Sequence, residues 1–200
     1  MTTNWAGLTS VLSPEKPKIH FPEIEYIKIP QIDINGYNKI MINDLWKYFD
    51  TSHCLVVQSD SFVVNPIQWS DEFLKYDYIG APWTKIIKPK KDLEIDLKKN
   101  RVGNGGFSLR SKKLTLATKN IDLLKLNFPL LTEDVILCHY LYDDLLNQDI
   151  NFAPIELASK FSLEHPETNK EFGINNENVF GFHGKHLRRY FKDRFINKKK

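Results

Sequence analysis

The stretch Cys54-Leu55-Val56-Val57-Gln58-Ser59-Asp60-Ser61 decides how this chain is read. An unbroken apolar run passes directly into a polar tip. A run of this kind suits a strand covered on both faces, as in a parallel sheet. In open α/β sheets ligands bind at the carboxyl ends of strands. The tip Gln58-Ser59-Asp60 is therefore the first place to look for chemistry.

The surroundings extend the pattern in both directions. Before the run, Tyr37, Ile40, Met41, Leu45 and Tyr48 recur at helical spacing, which predicts an amphipathic helix over 35–49. Further upstream, 8–12 and 24–29 alternate like short strands among Pro14, Pro17, Pro22 and Pro30. After the run come a short helix or turn over 71–76, a brief strand over 78–83 stopped by Pro82, and a long polar stretch over 85–100. A loop of that length is usually functional or mobile. Val102-Gly103-Asn104-Gly105-Gly106-Phe107-Ser108-Leu109-Arg110 runs from glycines into a strand, and Ser111 caps a helix to about Thr118. Thr132 precedes a helix over 135–147, a last strand is expected over 152–158, a loop over 173–184 and a basic helix over 185–196. Strands alternating with helices predict an α/β fold with a mostly parallel sheet flanked by helices.

Composition narrows the classes. The chain has 200 residues, 42% hydrophobic and 26% charged, with 13 Phe, 8 Tyr and 4 Trp, so disordered and collagenous readings are excluded. No apolar run spans a bilayer and no signal peptide opens the chain, which predicts a cytoplasmic protein without a transmembrane segment. Cys54 and Cys138 fit a reducing compartment and no metal spacing. The net charge of +3 is uneven: 185–200 carry eight Lys/Arg and one acid, and 1–184 carry 20 basic against 24 acidic residues. The tail reads as a solvated basic segment or as a phosphate-attracting one. With a mildly acidic body and no basic-aromatic motif, a specific nucleic-acid binder is not expected.

Four constellations can carry chemistry, and each has a plainer alternative. Asp60 at a strand tip suits a hard divalent cation, or it caps a turn. Gly103-Asn104-Gly105-Gly106 lets backbone N–H groups approach phosphate or sugar oxygens, or it is an ordinary glycine turn. Glu133-Asp134 supplies a general base, or two acids that favour a helix start. His183, within Phe180-Gly181-Phe182-His183-Gly184, closes over a metal as a neutral ligand, or fills space with hydrogen bonds. No nucleophile elbow and no zinc motif is present.

Taken in order, these strings resemble a family. They are Leu55 to Phe62, Asn65-Pro66, Trp69, Asp71 to Leu74, Tyr76 to Trp83, Val102 to Arg110, Glu133-Asp134 and Phe180 to Gly184. The resemblance is to a little-characterised group of glycosyltransferase-like domains, similar to the GT-A class of nucleotide-sugar transferases, and it runs from about Ile24 to His183. It implies a GT-A-like, Rossmann-like domain over 1–184 followed by a basic tail over 185–200. It also implies a metal-dependent, inverting transfer from a nucleotide-diphosphate sugar to a glycan or other hydroxyl acceptor. On that resemblance Asp60 and His183 hold Mn²⁺ or Mg²⁺. Gln58, Ser59, Trp83, Asn104, Gly105 and Gly106 line the donor. Asp134 or Glu133 is the base, with Asp134 preferred. The alternative is a non-catalytic carbohydrate- or nucleotide-binding domain. The matching region begins close to residue 1, so the expected domain lacks the first strand–helix unit of its relatives, and a second copy or a strand-completing partner is expected to fill that place.

Overall fold

Strand Phe107–Ser111 is buried along its whole length, and the rest of the chain is arranged around it. It carries Arg110, whose guanidinium is fully buried, so the surrounding elements must supply acceptors as well as apolar surface. The computed structural model describes residues 9–16, 18, 21–129 and 131–189.

The strands in chain order are β1 (Thr9–Ser13), β2 (Ile24–Lys28), β3 (His53–Val57), β4 (Ser61–Val63), β5 (Tyr78–Ile79), β6 (Ile86–Lys90), β7 (Leu93–Asp96), β8 (Phe107–Ser111), β9 (Ser162–Leu163) and β10 (Gly181–His183). The α-helices are α1 (Ile34–Lys39), α2 (Lys112–Thr118), α3 (Glu133–Val135), α4 (Tyr142–Leu146), α5 (Ile155–Phe161) and α6 (Pro166–Lys170). The strands form four small sheets among the described residues: β1-β2, β3-β8-β5, β4-β10-β9 and β6-β7.

The expected GT-A-like, mostly parallel sheet is not what forms. Central β8 pairs antiparallel with both β3 and β5, β4 pairs antiparallel with β10, and β6 with β7. Among the strand pairs of the described residues, β1-β2 and β9-β10 alone are parallel. The apolar run that suggested a doubly covered strand is in fact an edge strand. His53 to Val56 are half-buried and Val57 is 50% exposed. Apolarity reports burial, whereas strand direction is set by which neighbour the hydrogen bonds reach.

Three further expectations are corrected. The stretch over 85–100 contains the hairpin β6-β7, with Ile95 and Leu97 buried in the main core. Its alternating side chains dock it, so it is not a long polar loop. Over 152–158, only Phe152 bridges to Tyr78, and a helix starts at Ile155 after Pro154. The loop expected over 173–184 ends in β10. The helix expected over 35–49 is helical from α1 through a π turn (Ile40–Asp44) and a 3₁₀ turn (Leu45–Lys47). Ser111 does cap α2, accepting from the Leu114 N–H at 2.9 Å. Residues 185–189 are helical, while Leu8 and 190–196 of the other expected elements lie outside the described residues. No helix among the described residues is long and apolar enough to cross a membrane.

The main core joins both larger sheets through aromatic side chains. Phe73, Phe107, Phe161 and Phe180 lie with ring centroids 5.2–6.2 Å apart, a spacing that favours tilted and edge-on contacts. Beside them Arg110 donates to Glu133 Oε1 at 2.9 Å and to Ser108 Oγ at 3.0 Å, and lies 5.3 Å over the Tyr78 ring. Removing one member of a buried pair strands the other's charge. Arg110→Met should therefore lower stability by about 3–5 kcal/mol in urea denaturation. Arg110→Met combined with Glu133→Leu should recover most of that loss, because no lone charge remains buried.

Candidate functional site

The polar tip after β3 is where two sheets meet. Val57 is paired with Phe107, and the Gln58 N–H donates to the Gly106 carbonyl at 2.8 Å, so the tip begins beside the glycine turn. The chain then reverses. Ser61 N–H donates to the Gln58 carbonyl at 2.9 Å, and Ser61 enters β4 opposite His183 of β10. The Gly184 N–H donates to the Asp60 carbonyl at 3.1 Å. Asp60 and His183, 123 positions apart in the sequence numbering, are thereby fixed as neighbours by strand register.

His183 sits at the centre of the cluster. Its Nε2 faces Gln58 Oε1 at 3.2 Å and Asp60 Oδ1 at 3.5 Å. Its Nδ1 faces Glu164 Oε1 at 3.2 Å and Asn104 Nδ2 at 3.0 Å. The Gly106 N–H donates to Asn104 Oδ1 at 3.1 Å, which turns the Asn104 amide nitrogen toward His183 and Glu164. With a proton on Nδ1 donated to Glu164, the Nε2 lone pair meets two further acceptors. With Nδ1 accepting from Asn104 instead, the proton sits on Nε2 and faces those acceptors, so the corner is met either by a proton on Nε2 or by a cation. Burial by itself lowers the basicity of His183, but Glu164, Asp60 and Asp134 outweigh it and hold the imidazole above its ordinary value. Burial would raise Glu164, yet His183, His165 and Asn104 hold its carboxyl below the usual range.

The glycine turn has a different purpose from the one expected. A Cβ on Gly106 would lie 2.2 Å from His183 Nε2 and 2.7 Å from Gln58 Oε1, and one on Gly105 would lie 1.7 Å from Glu133 Oε1. The missing side chains make room for the protein's own site residues. Nor are the N–H groups free for phosphate, since Gly105 donates to Asp134 Oδ2 at 2.9 Å and Gly106 to Asn104. Asn104 takes the left-handed conformation (φ 58), which Asn tolerates better than most residues, and it is 1% exposed.

Glu133 and Asp134 separate clearly. Glu133 is 2% exposed and bound to Arg110, inside the protein. Burial, with the like charge of Asp134, pushes its carboxyl up to about 7 against the pull of Arg110. Asp134 is only part-buried, and each of its oxygens accepts one backbone N–H, from Gly105 and from Val135 at 2.8 Å. Each oxygen keeps a second lone pair.

Of the other expected donor residues, Ser59 is exposed at the tip and Trp83 is 5% exposed in the main core. The Trp83 ring lies against the Gly103 backbone, where a Cβ would come within 2.1 Å, so it supports the turn from beneath. Sequence reasoning missed Glu164, Arg110 and Tyr37. Glu164 follows directly on β9, an acid at a strand tip next to His165, which was its only signal. Tyr37 looked like one more apolar position of a helix, yet its hydroxyl accepts from Gln58 Nε2 at 2.5 Å. Among the described residues no group of three or more His, Cys, Asp and Glu side chains forms a ready metal cage. A separate recess of about 250 Å³, lined by Lys98, Asn100, His139 and Tyr142, shares none of the cluster's residues, and its Lys99 is paired with Asp143.

Comparison with known proteins adds a family. The chain belongs to the family described as "Protein of unknown function (DUF5672)", whose profile matches residues 21–183 and so takes in the whole cluster from Tyr37 to His183. No curated protein and no solved structure matches it.

The turn and the buried acid can each be tested. Gly106→Ala should displace His183 and cost about 1–3 kcal/mol as an overpacking change, read by urea denaturation. Glu133 provides a pH signature, because its folded value near 7 lies above its ordinary value of 4.5. Between these values the folded protein binds more protons than the unfolded chain, so the Glu133 contribution to stability falls as pH rises. The stability of the wild type relative to Glu133→Gln should therefore decline from pH about 4.5 to about 7 and then level off. A flat difference would show that Glu133 is ionised throughout.

Proposed function

We propose that this member of the DUF5672 family is a metal-dependent glycosyltransferase, moving a sugar from a nucleotide-diphosphate donor to an acceptor hydroxyl with inversion. The observation that carries the reading is the corner beside His183 Nε2, where Gln58 Oε1 and Asp60 Oδ1 converge on an imidazole whose other nitrogen, Nδ1, is backed by Glu164. A carboxylate oxygen, an amide oxygen and an imidazole nitrogen form a donor set suited to a hard or borderline divalent cation. A carboxylate on the far nitrogen of a ligating histidine is the usual second-layer support. Few protein ligands are needed where a substrate's phosphate oxygens complete the coordination.

Asp60, His183 and Gln58 would hold Mn²⁺ or Mg²⁺, and the ion would supply charge to stabilise the departing diphosphate. The rest is the work of the chain. Asp134, held by the Gly105 N–H on the turn that also seats His183, takes the proton of the acceptor hydroxyl. The acceptor oxygen then bonds to the anomeric carbon as the bond from that carbon to the diphosphate oxygen breaks. The leaving electron pair stays on the diphosphate. Glu133 does not share this role, because Arg110 and burial keep it from substrate. A second reading, binding without turnover, is favoured by one feature: both Asp134 oxygens already accept backbone N–H groups, as a purely structural carboxylate would.

A thermal-shift panel of nucleotide sugars, with and without Mn²⁺, tests the donor site, since a ligand specific to the folded state raises Tm by mass action. At least one nucleotide sugar should raise Tm only with Mn²⁺, and Asp60→Asn should abolish the effect. Absence of any shift removes the donor site. Asp134→Asn should keep the shift and lower transfer by about 100-fold or more. Binding in the wild type with no transfer to any acceptor would select the second reading.

A further inference from the structure

We propose that Tyr37 is a positioning residue of the cation corner, acting through Gln58. This role deepens the metal-dependent reading and rests on it. Gln58 is the weakest-held member of the corner by its chemistry. Its side chain is long and neutral, and its amide can present either oxygen or nitrogen to His183. Strand register fixes only its backbone, through the bond to Gly106.

Tyr37 supplies the missing constraint. Its hydroxyl accepts from Gln58 Nε2 at 2.5 Å, while Oε1 at the other end of the amide lies 3.2 Å from His183 Nε2. The Tyr37 hydroxyl, which can donate as well as accept, tethers that end of the amide in place, and the oxygen end faces the corner.

Tyr37 is itself well anchored. Helix α1 is capped by Asp33, whose Oδ1 accepts from the Gly36 N–H at 2.9 Å. The next residue after Tyr37, Asn38, is fully buried and donates to the Leu131 carbonyl at 2.6 Å, just before Glu133-Asp134. The same helix therefore ties the segment leading into α3, which carries the proposed base, to the residue that tethers Gln58. Helix α1 lies outside the strand tips, so its place at the site is set by tertiary contacts such as the Asn38–Leu131 hydrogen bond.

Two measurements test this with the full chain. The first needs no metal: the Gln58 side-chain amide signals in ¹H–¹⁵N spectra should lose protection from water exchange in Tyr37→Phe. Unchanged signals overturn the proposal. The second is calorimetric titration with Mn²⁺ alone. Tyr37→Phe should weaken binding about three- to tenfold, the scale of one lost hydrogen bond. In a Gln58→Ala background the same change should have less than about a twofold effect, since coupled residues are non-additive. Equal weakening in both backgrounds means that Tyr37 acts only on general stability, and overturns the proposal. If the wild type binds no Mn²⁺, the metal-dependent reading fails, and the cation role of Tyr37 fails with it. The amide signals then show separately whether Tyr37 holds Gln58.

Discussion

Burying a guanidinium is the constraint that the rest of the structure answers to. Arg110 lies on the central strand β8 with no exposed surface, so its charge must be met from within. Glu133 at the start of α3 meets it, and the carbonyls of Met41 and Gly105 lie at the edge of hydrogen-bonding reach, at 3.4 and 3.5 Å. Helix, turn and strand are thereby drawn to one point. Apolar packing alone would tolerate small slides between these elements, but an ion pair in a dry interior does not.

The candidate site is the outer edge of that arrangement. Because Glu133 is drawn inward, its neighbour Asp134 is left part-buried beside Gly105. Because the turn at Gly105-Gly106 lacks side chains, His183 can approach Gly106 and Glu133 can approach Gly105. Because β4 and β10 pair with Ser61 opposite His183, the carboxylate of Asp60 arrives at the imidazole. None of these placements is local. Each depends on a partner far along the chain, and the Arg110 pair and the aromatic cluster hold those partners in register.

Several parts of this were legible in the sequence. Asp60, the glycine turn, Glu133-Asp134 and His183 were picked out by residue type at strand tips and turns, and the fold gathers all four at one place. The roles within the set were less visible. A glycine followed by a glycine suggests an open backbone for a ligand, yet the space is filled by His183 and Glu133. Two adjacent acids look equivalent until burial distinguishes them. Tyr37 reads as an apolar helix position because its ring falls at helical spacing with Ile40 and Met41, yet its hydroxyl reaches the site. The direction of the sheet was the largest miss: the apolar run at Leu55-Val56-Val57 suggested a parallel interior strand and proved to be an antiparallel edge.

What the amino-acid sequence determined by itself was local. Residue chemistry sets which positions can bear charge or lack a side chain, helical spacing locates the segment over 35–49, and Ser111 marks where α2 begins. Tertiary structure alone decided strand direction, the separation of Glu133 from Asp134, and the recruitment of Glu164 and Tyr37. The physical reason is that these depend on hydrogen-bond partners and burial, which arise between segments distant in the chain. A pattern along one segment carries no record of which distant surface will cover it or which buried charge it must answer.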